Sequence, residues 1–130
     1  MRPNSIRALA RACAAALLLA AAPACKGSTE PDLPATIHVC ETNTATLCAD
    51  WKLSAGSTYV ADWAQGSHAT IRATEFGGSD VVFTRDDPSG TSIGMHAVYT
   101  GTAVGRSVSN GVVVWSRNGE TVSGVWTAQW

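Results

Sequence analysis

The feature that most constrains this chain is a two-residue rhythm at its C-terminal end. Val122, Gly124, Trp126, Ala128 and Trp130 alternate with Thr121, Ser123, Val125, Thr127 and Gln129. Side chains of a β-strand point to opposite faces in turn, so both tryptophans share one face and mostly hydroxyl or amide groups take the other. Asn118-Gly119 stands just before this segment. That pair is the strongest short-range hairpin signal, because both central residues of a type I′ turn need positive φ. Gly105-Arg106 suits the preceding turn in the type II′ form, with glycine at its first central position. Gly94 to Trp130 is therefore expected to form a three-stranded antiparallel meander whose apolar face the rest of the chain must cover.

The upstream sequence offers more of the same. Ile37-His38-Val39-Cys40 reads as a short strand, and Ala49, Trp51 and Leu53 alternate onto one face. After Gly56, Tyr59, Ala61 and Trp63 fall together, opposite Thr58, Val60 and Asp62. Between the turn at Gly66-Ser67 and Phe76, Ala69, Ile71 and Ala73 point inward and Thr70, Arg72 and Thr74 outward. Gly77-Gly78-Ser79 separates these from Val81-Val82-Phe83-Thr84-Arg85, and Asp87-Pro88-Ser89-Gly90 has the residues of a turn. Seven or eight strands with regular glycine-containing turns, and no helical pattern, indicate an all-β, single-domain antiparallel meander. Short successive connections favour a small up-and-down barrel, since closure removes exposed edges; an open β-sandwich is the alternative.

The first residues serve a different purpose. Arg2, Arg7 and Arg11 precede an 11-residue apolar run, Ala12 to Ala22, which is too short to span a bilayer as a permanent helix. Residues 1–24 read as a signal peptide, 25–35 as a tether carrying Pro31 and Pro34, and 36–130 as the all-β domain. Ala22-Pro23-Ala24-Cys25 resembles the lipobox of bacterial lipoproteins, where a small residue precedes an obligatory cysteine. The resemblance implies lipidation of Cys25 and a membrane partner held through that anchor. Lys26, rather than aspartate, at the next position implies by similarity to Gram-negative lipoproteins an outer-membrane destination. Ordinary cleavage at the same bond would instead give a periplasmic or secreted protein.

Cysteine arithmetic fits the lipobox. Cys13 leaves with the signal, and Cys40 and Cys48 enclose a short polar loop, Glu41 to Leu47. These two are expected to pair as a disulfide in an oxidising compartment, which leaves Cys25 over for acylation. No second ligand pair follows at zinc spacing, so no metal is expected. The whole chain carries a formal charge of −1, and loss of the three signal arginines takes it to −4. A mildly acidic domain argues against nucleic acid as a partner.

Candidate chemistry centres on five tryptophans, Trp51, Trp63, Trp115, Trp126 and Trp130. They either line a pocket for a hydrophobic ligand or glycan, or fill a small core with their N–H groups edged by hydroxyls. The strand around Val113 is apolar on both faces, because Val112 and Val114 alternate with Val113 and Trp115. One face can therefore meet a ligand, a partner or the tether. His38, His68 and His96 lie on three separate strands, and nothing in their spacing makes them converge on a metal. Asp86 and Asp87 are adjacent and so point to opposite faces; a solvated turn is the simpler reading. No nucleophile elbow, phosphate loop or Cys–His spacing is present, so neither an enzyme nor a cofactor is expected. The C-terminal meander with Gly124-Val125-Trp126 resembles small lipocalin-like and avidin-like barrels, though Ala49-Asp50-Trp51 stands where lipocalins carry Gly-x-Trp. Two functions follow as expectations. One is a lipid-anchored cell-envelope protein acting as an interaction or structural module through its outer faces. The other is a binder of a small hydrophobic ligand or glycan in a Trp-rich barrel interior.

Overall fold

Eight strands succeed one another along the chain in the computed structural model, which describes residues 32–130. The segments expected as signal peptide (1–24) and, for the most part, as tether (25–35), with the lipidation expected at Cys25, lie outside the described residues. The strands are β1 (Thr36–Thr42), β2 (Thr46–Ala55), β3 (Thr58–Asp62), β4 (Ser67–Glu75), β5 (Asp80–Gly90), β6 (His96–Val104), β7 (Ser107–Arg117) and β8 (Glu120–Gln129). Each pairs antiparallel with its neighbours in sequence, and β1 closes on β8. The result is a closed up-and-down barrel, not an open sandwich, and closure satisfies the backbone donors and acceptors that edge strands would have exposed. The turn chemistry matches the residues: Asn118 and Gly119 both have positive φ, 54° and 79°, as a type I′ turn requires. Gly105, at φ 62°, begins the turn between β6 and β7.

Alternation decides what is inside. Ile37 and Val39 from β1, Trp51 from β2, Tyr59 from β3 and Ile71 from β4 are fully buried. Val81 and Phe83 from β5, Tyr99 from β6, Val108 and Val113 from β7, and Trp126 from β8 complete the interior. Trp51 lies edge-on to Phe83 and Tyr99 at centroid distances of 5.3 and 5.0 Å, and stacks with Trp126 at 6.3 Å. Edge-to-face contacts of this kind set the positive rim of one ring against the negative face of another. One end of the barrel is covered by Phe76 and Trp130, 5.2 Å apart, with Leu33 and Leu53 packed against the core beside them. The Tyr59 hydroxyl donates to the Pro34 carbonyl at 2.8 Å, which fastens the residues just before β1 to the barrel.

The size of the indoles is accommodated by glycine. Gly111 is paired with Trp126 across β7 and β8, and a Cβ on Gly111 would lie 2.1 Å from Trp126 Nε1. A Cβ on Gly124 would meet the Trp115 ring at 2.6 Å. Both glycines are therefore places where a ring lies flat on a neighbouring backbone.

Two expectations need correction. Asp87-Pro88-Ser89-Gly90 is not a turn: β5 continues through Gly90, and the reversal follows at Thr91 to Gly94. Gly90 has a positive φ of 85°, and Ser67 Oγ holds the reversal down through hydrogen bonds to Thr91 Oγ1 and Ser92 Oγ at 3.1 and 2.7 Å. Val122 follows the inward rhythm of Trp126 and Ala128, yet it is 49% exposed. Its position at the barrel mouth, where β8 begins opposite Trp115, leaves about half of it open among the described residues.

The register of β8 is open to a direct check. Trp126→Ala should lower the unfolding free energy by about 3–5 kcal/mol, the usual range for truncating a large buried aromatic. Thr127→Ala, on the exposed face, should change it by no more than about 0.5 kcal/mol. Equal urea midpoints for the two variants would contradict this register.

Candidate functional site

Four of the inward positions carry polar side chains that meet at the barrel end opposite Phe76 and Trp130. The inward line of β1 runs Ile37, Val39, Glu41, that of β5 runs Val81, Phe83, Arg85, Asp87, and β6 contributes Tyr99. Glu41, Arg85, Asp87 and Tyr99 are all buried. Arg85 grips Asp87 with both ends of its guanidinium, Nε to Oδ1 at 2.7 Å and Nη2 to Oδ2 at 2.9 Å. Its remaining Nη1 donates to Glu41 Oε1 at 3.0 Å and to the Tyr99 hydroxyl at 3.1 Å. Tyr99 in turn donates its proton to Glu41 Oε1. Trp63 covers the guanidinium, its ring centroid 3.9 Å from Cζ, in a cation–π contact.

One cation is thus shared between two carboxylates, and the geometry favours Asp87. Burial raises the Glu41 pKa above its ordinary value, and the opposing field of Arg85 does not cancel this. Burial works against the charge on Arg85, but its hydrogen bonds to Asp87, together with Tyr99 and Glu41 beside it, outweigh that cost and hold its pKa above the ordinary value. Burial and the neighbouring Glu41 raise Tyr99 well above the usual phenol range, so it remains a proton donor. The cluster as a whole is a closed hydrogen-bonded network in which each charged group has partners.

The five tryptophans divide by position. Trp51, Trp63 and Trp126 are core residues, while Trp115 and Trp130 are half-buried at the two ends. The expected fringe of hydroxyls around their N–H groups is not what holds them. Trp126 Nε1 donates to the backbone carbonyl of Thr100 at 2.9 Å, and the N–H groups of Trp51 and Trp63 have no partner among the described residues. Space in a ring-filled interior is decided by shape, and a buried indole can forgo its hydrogen bond at a cost of about 1–3 kcal/mol.

The outer surface holds the remaining candidates. Cys40 and Cys48 form a disulfide between directly opposed residues of β1 and β2. The loop they enclose is tighter than its sequence suggested, because Glu41, Thr42, Thr46 and Leu47 belong to the strands and only Asn43 to Ala45 turn. The three histidines stay apart, each opposite an aspartate on the adjacent strand: His38 with Asp50, His68 with Asp62, and His96 with Asp86. Asp86 and Asp87 do face opposite ways, but Asp87 is buried and not in a solvated turn.

A groove of about 660 Å³ lies where β6 and β7 lose register between Thr100 and Ala103. Val82, Val104 and Val112 line it together with Glu75 and Asp80. Val112 faces Val125 across β7 and β8, and Val114 follows it along the strand, so exposed valines extend the groove over the outer sheet. Val104 is 75% exposed. Of the two apolar faces expected around Val113, the one carrying Val112 and Val114 is therefore uncovered.

Sequence reasoning missed Glu41, Arg85, Asp87 and Tyr99 as a group. Alternation could have placed Arg85 and Asp87 inside, since they continue the line of Val81 and Phe83. No family model, curated protein or solved structure matches this chain.

The cluster yields two measurable consequences. Arg85→Ala leaves two buried carboxylates uncompensated and should cost about 3–5 kcal/mol of unfolding free energy. Glu41→Gln isolates the titration of one group. Because the native pKa of Glu41 is raised, the native state binds more protons than the unfolded state above the ordinary value of 4.5. Its contribution to stability is complete below that pH and declines as pH rises through the native pKa. The stability of the wild type relative to Glu41→Gln should therefore fall as pH increases from about 4.5, and parallel profiles from urea titrations would refute the assignment.

Proposed function

We propose that the protein is a lipid-anchored module of the bacterial cell envelope that binds a polypeptide partner through the outer face of β5 to β8. The observation that supports this reading is the distribution of apolar surface. Inside the barrel, Trp51, Phe83, Tyr99 and Trp126 are packed ring against ring, whereas Val104, Val112, Val114 and Val125 are left on the outside around a groove. Contiguous exposed apolar surface rimmed by polar groups is a feature of interaction sites. Glu75 and Asp80 in the groove, on a chain of net charge −4 after signal removal, suit a partner segment that combines apolar and basic side chains. The lipobox-like Ala22-Pro23-Ala24-Cys25 supplies the anchor, and residues 25–35 the spacer that holds the domain off the membrane.

The anchor is tested by Cys25→Ser, which should move the protein from the membrane to the soluble envelope fraction. A mature N-terminus at Cys25 without acyl chains, measured by mass spectrometry, would overturn it. The surface is tested by a photo-crosslinking side chain at Val112 in intact cells, with Val60 on the outer face of β3 as the comparison site. A heterologous polypeptide adduct at position 112 and not at 60 is expected. Adducts equal at both sites, or only to a second copy of this chain, would remove the proposed surface.

A further inference from the structure

The β1–β2 hairpin carries a second outward cluster of different chemistry. The register sets His38 opposite Asp50 and Cys40 opposite Cys48, and alternation turns all four away from the core. His38 Nδ1 lies 2.7 Å from Asp50 Oδ1, and its Nε2 lies 3.7 Å from Cys40 Sγ. Carboxylate, imidazole and sulfur thus stand in line, the order in which an acid orients a base against a thiol. Among the described residues, each histidine has its aspartate, but His38 alone also has a sulfur at its second ring nitrogen. The disulfide is open to solvent, with Cys48 exposed and Cys40 half-buried.

We infer that Cys40–Cys48 is a thiol–disulfide exchange site that oxidises an external dithiol. One thiolate of the dithiol attacks Cys48 Sγ, the more accessible sulfur, and a new S–S bond forms there. The Cys40–Cys48 bond breaks, and its electron pair leaves on Cys40 Sγ as a thiolate beside the His38 ring, which then takes up one proton from solvent. The dithiol's second thiolate then attacks the sulfur of its own first thiol in the mixed disulfide, which closes an intramolecular disulfide and releases Cys48 as a thiolate that takes up a proton. The dithiol loses two electrons and two protons, and the protein gains two thiols. A leaving thiol of lower pKa departs faster, and an adjacent imidazolium lowers it. Asp50 keeps the imidazole turned with Nε2 toward the sulfur. Around His38, β2 presents Asp50 and, one step along the same face, Lys52, while β8 presents the uncharged Gln129 and Thr127.

The test uses the full chain and reads each cysteine separately by peptide mass spectrometry. In Cys48→Ser, Cys40 is a single thiol that needs no reductant, and its alkylation by iodoacetamide should show an inflection below the ordinary thiol value of about 8.5. Adding His38→Gln should return that inflection to the ordinary value. With the disulfide intact, dithiothreitol should open it roughly three- to tenfold more slowly in His38→Gln than in the wild type at pH 7. His38 is exposed, so the unfolding midpoint of His38→Gln should match that of the wild type, separating a lost chemical role from a lost fold. An ordinary inflection for Cys40 in the presence of His38, or equal opening rates, would overturn the proposal.

Discussion

The interior of an eight-stranded barrel is just wide enough to be filled by side chains, and everything else in this fold depends on filling it. Beside its buried isoleucines and valines the chain fills the interior with rings: Trp51, Phe83, Tyr99 and Trp126, in mutual edge-on and stacked contact. Rings of that size fit a narrow cylinder only where the neighbouring strand's backbone carries no side chain. Gly111 under Trp126 and Gly124 under Trp115 are those positions. The rhythm of the C-terminal strands is thus a packing rule as much as a pleat, since its small residues are the other half of its large ones.

The two ends of the cylinder are finished differently. At one end, Phe76, Trp130 and Leu53 continue the apolar filling, and the Tyr59 bond to Pro34 holds the incoming chain across it. At the other end the strands continue inward with Glu41, Arg85 and Asp87, which cannot be left unpaired at low exposure. The bidentate Arg85–Asp87 pair takes up most of the guanidinium, and Tyr99 joins Glu41 to what remains. This network demands one relative placement of β1, β5 and β6. A hydrophobic filling would tolerate small shifts among those strands, whereas a hydrogen-bonded one does not.

A packed interior moves the question of function to the outside of the barrel. There the surface is not uniform. The β5–β8 side carries valines around a groove opened by the irregular pairing of β6 and β7, and the β1–β2 side carries a disulfide with an oriented imidazole. The two features lie on different parts of the sheet and use different chemistry, one apolar and extended, the other local and reactive. Both depend on outward alternation, which in a closed barrel gives every strand a solvent face with no edge to protect.

Much of this was legible in the residues. The period of two, the Asn118-Gly119 turn and the inward sets of Ala49 and Trp51, Tyr59 and Ala61, and Ala69 and Ile71 follow from local stereochemistry, and so does the all-β meander. The pairing of Cys40 with Cys48 was legible too, because eight residues of separation leave few alternatives. Local rules failed where the answer depended on a side chain's tertiary surroundings. Asp87-Pro88-Ser89-Gly90 has the composition of a turn, yet it extends as strand because Asp87 is drawn inward by Arg85. Val122 keeps the core rhythm but stands at a rim where the described residues cover only half of it. Glu41 meets Arg85 over a separation of 44 residues and Tyr99 over 58, and no pattern within either segment announces the other. Periodicity tells a side chain which face to take; only closure of the sheet decides which other side chains share that face, at what height, and whether a charge among them finds its partner.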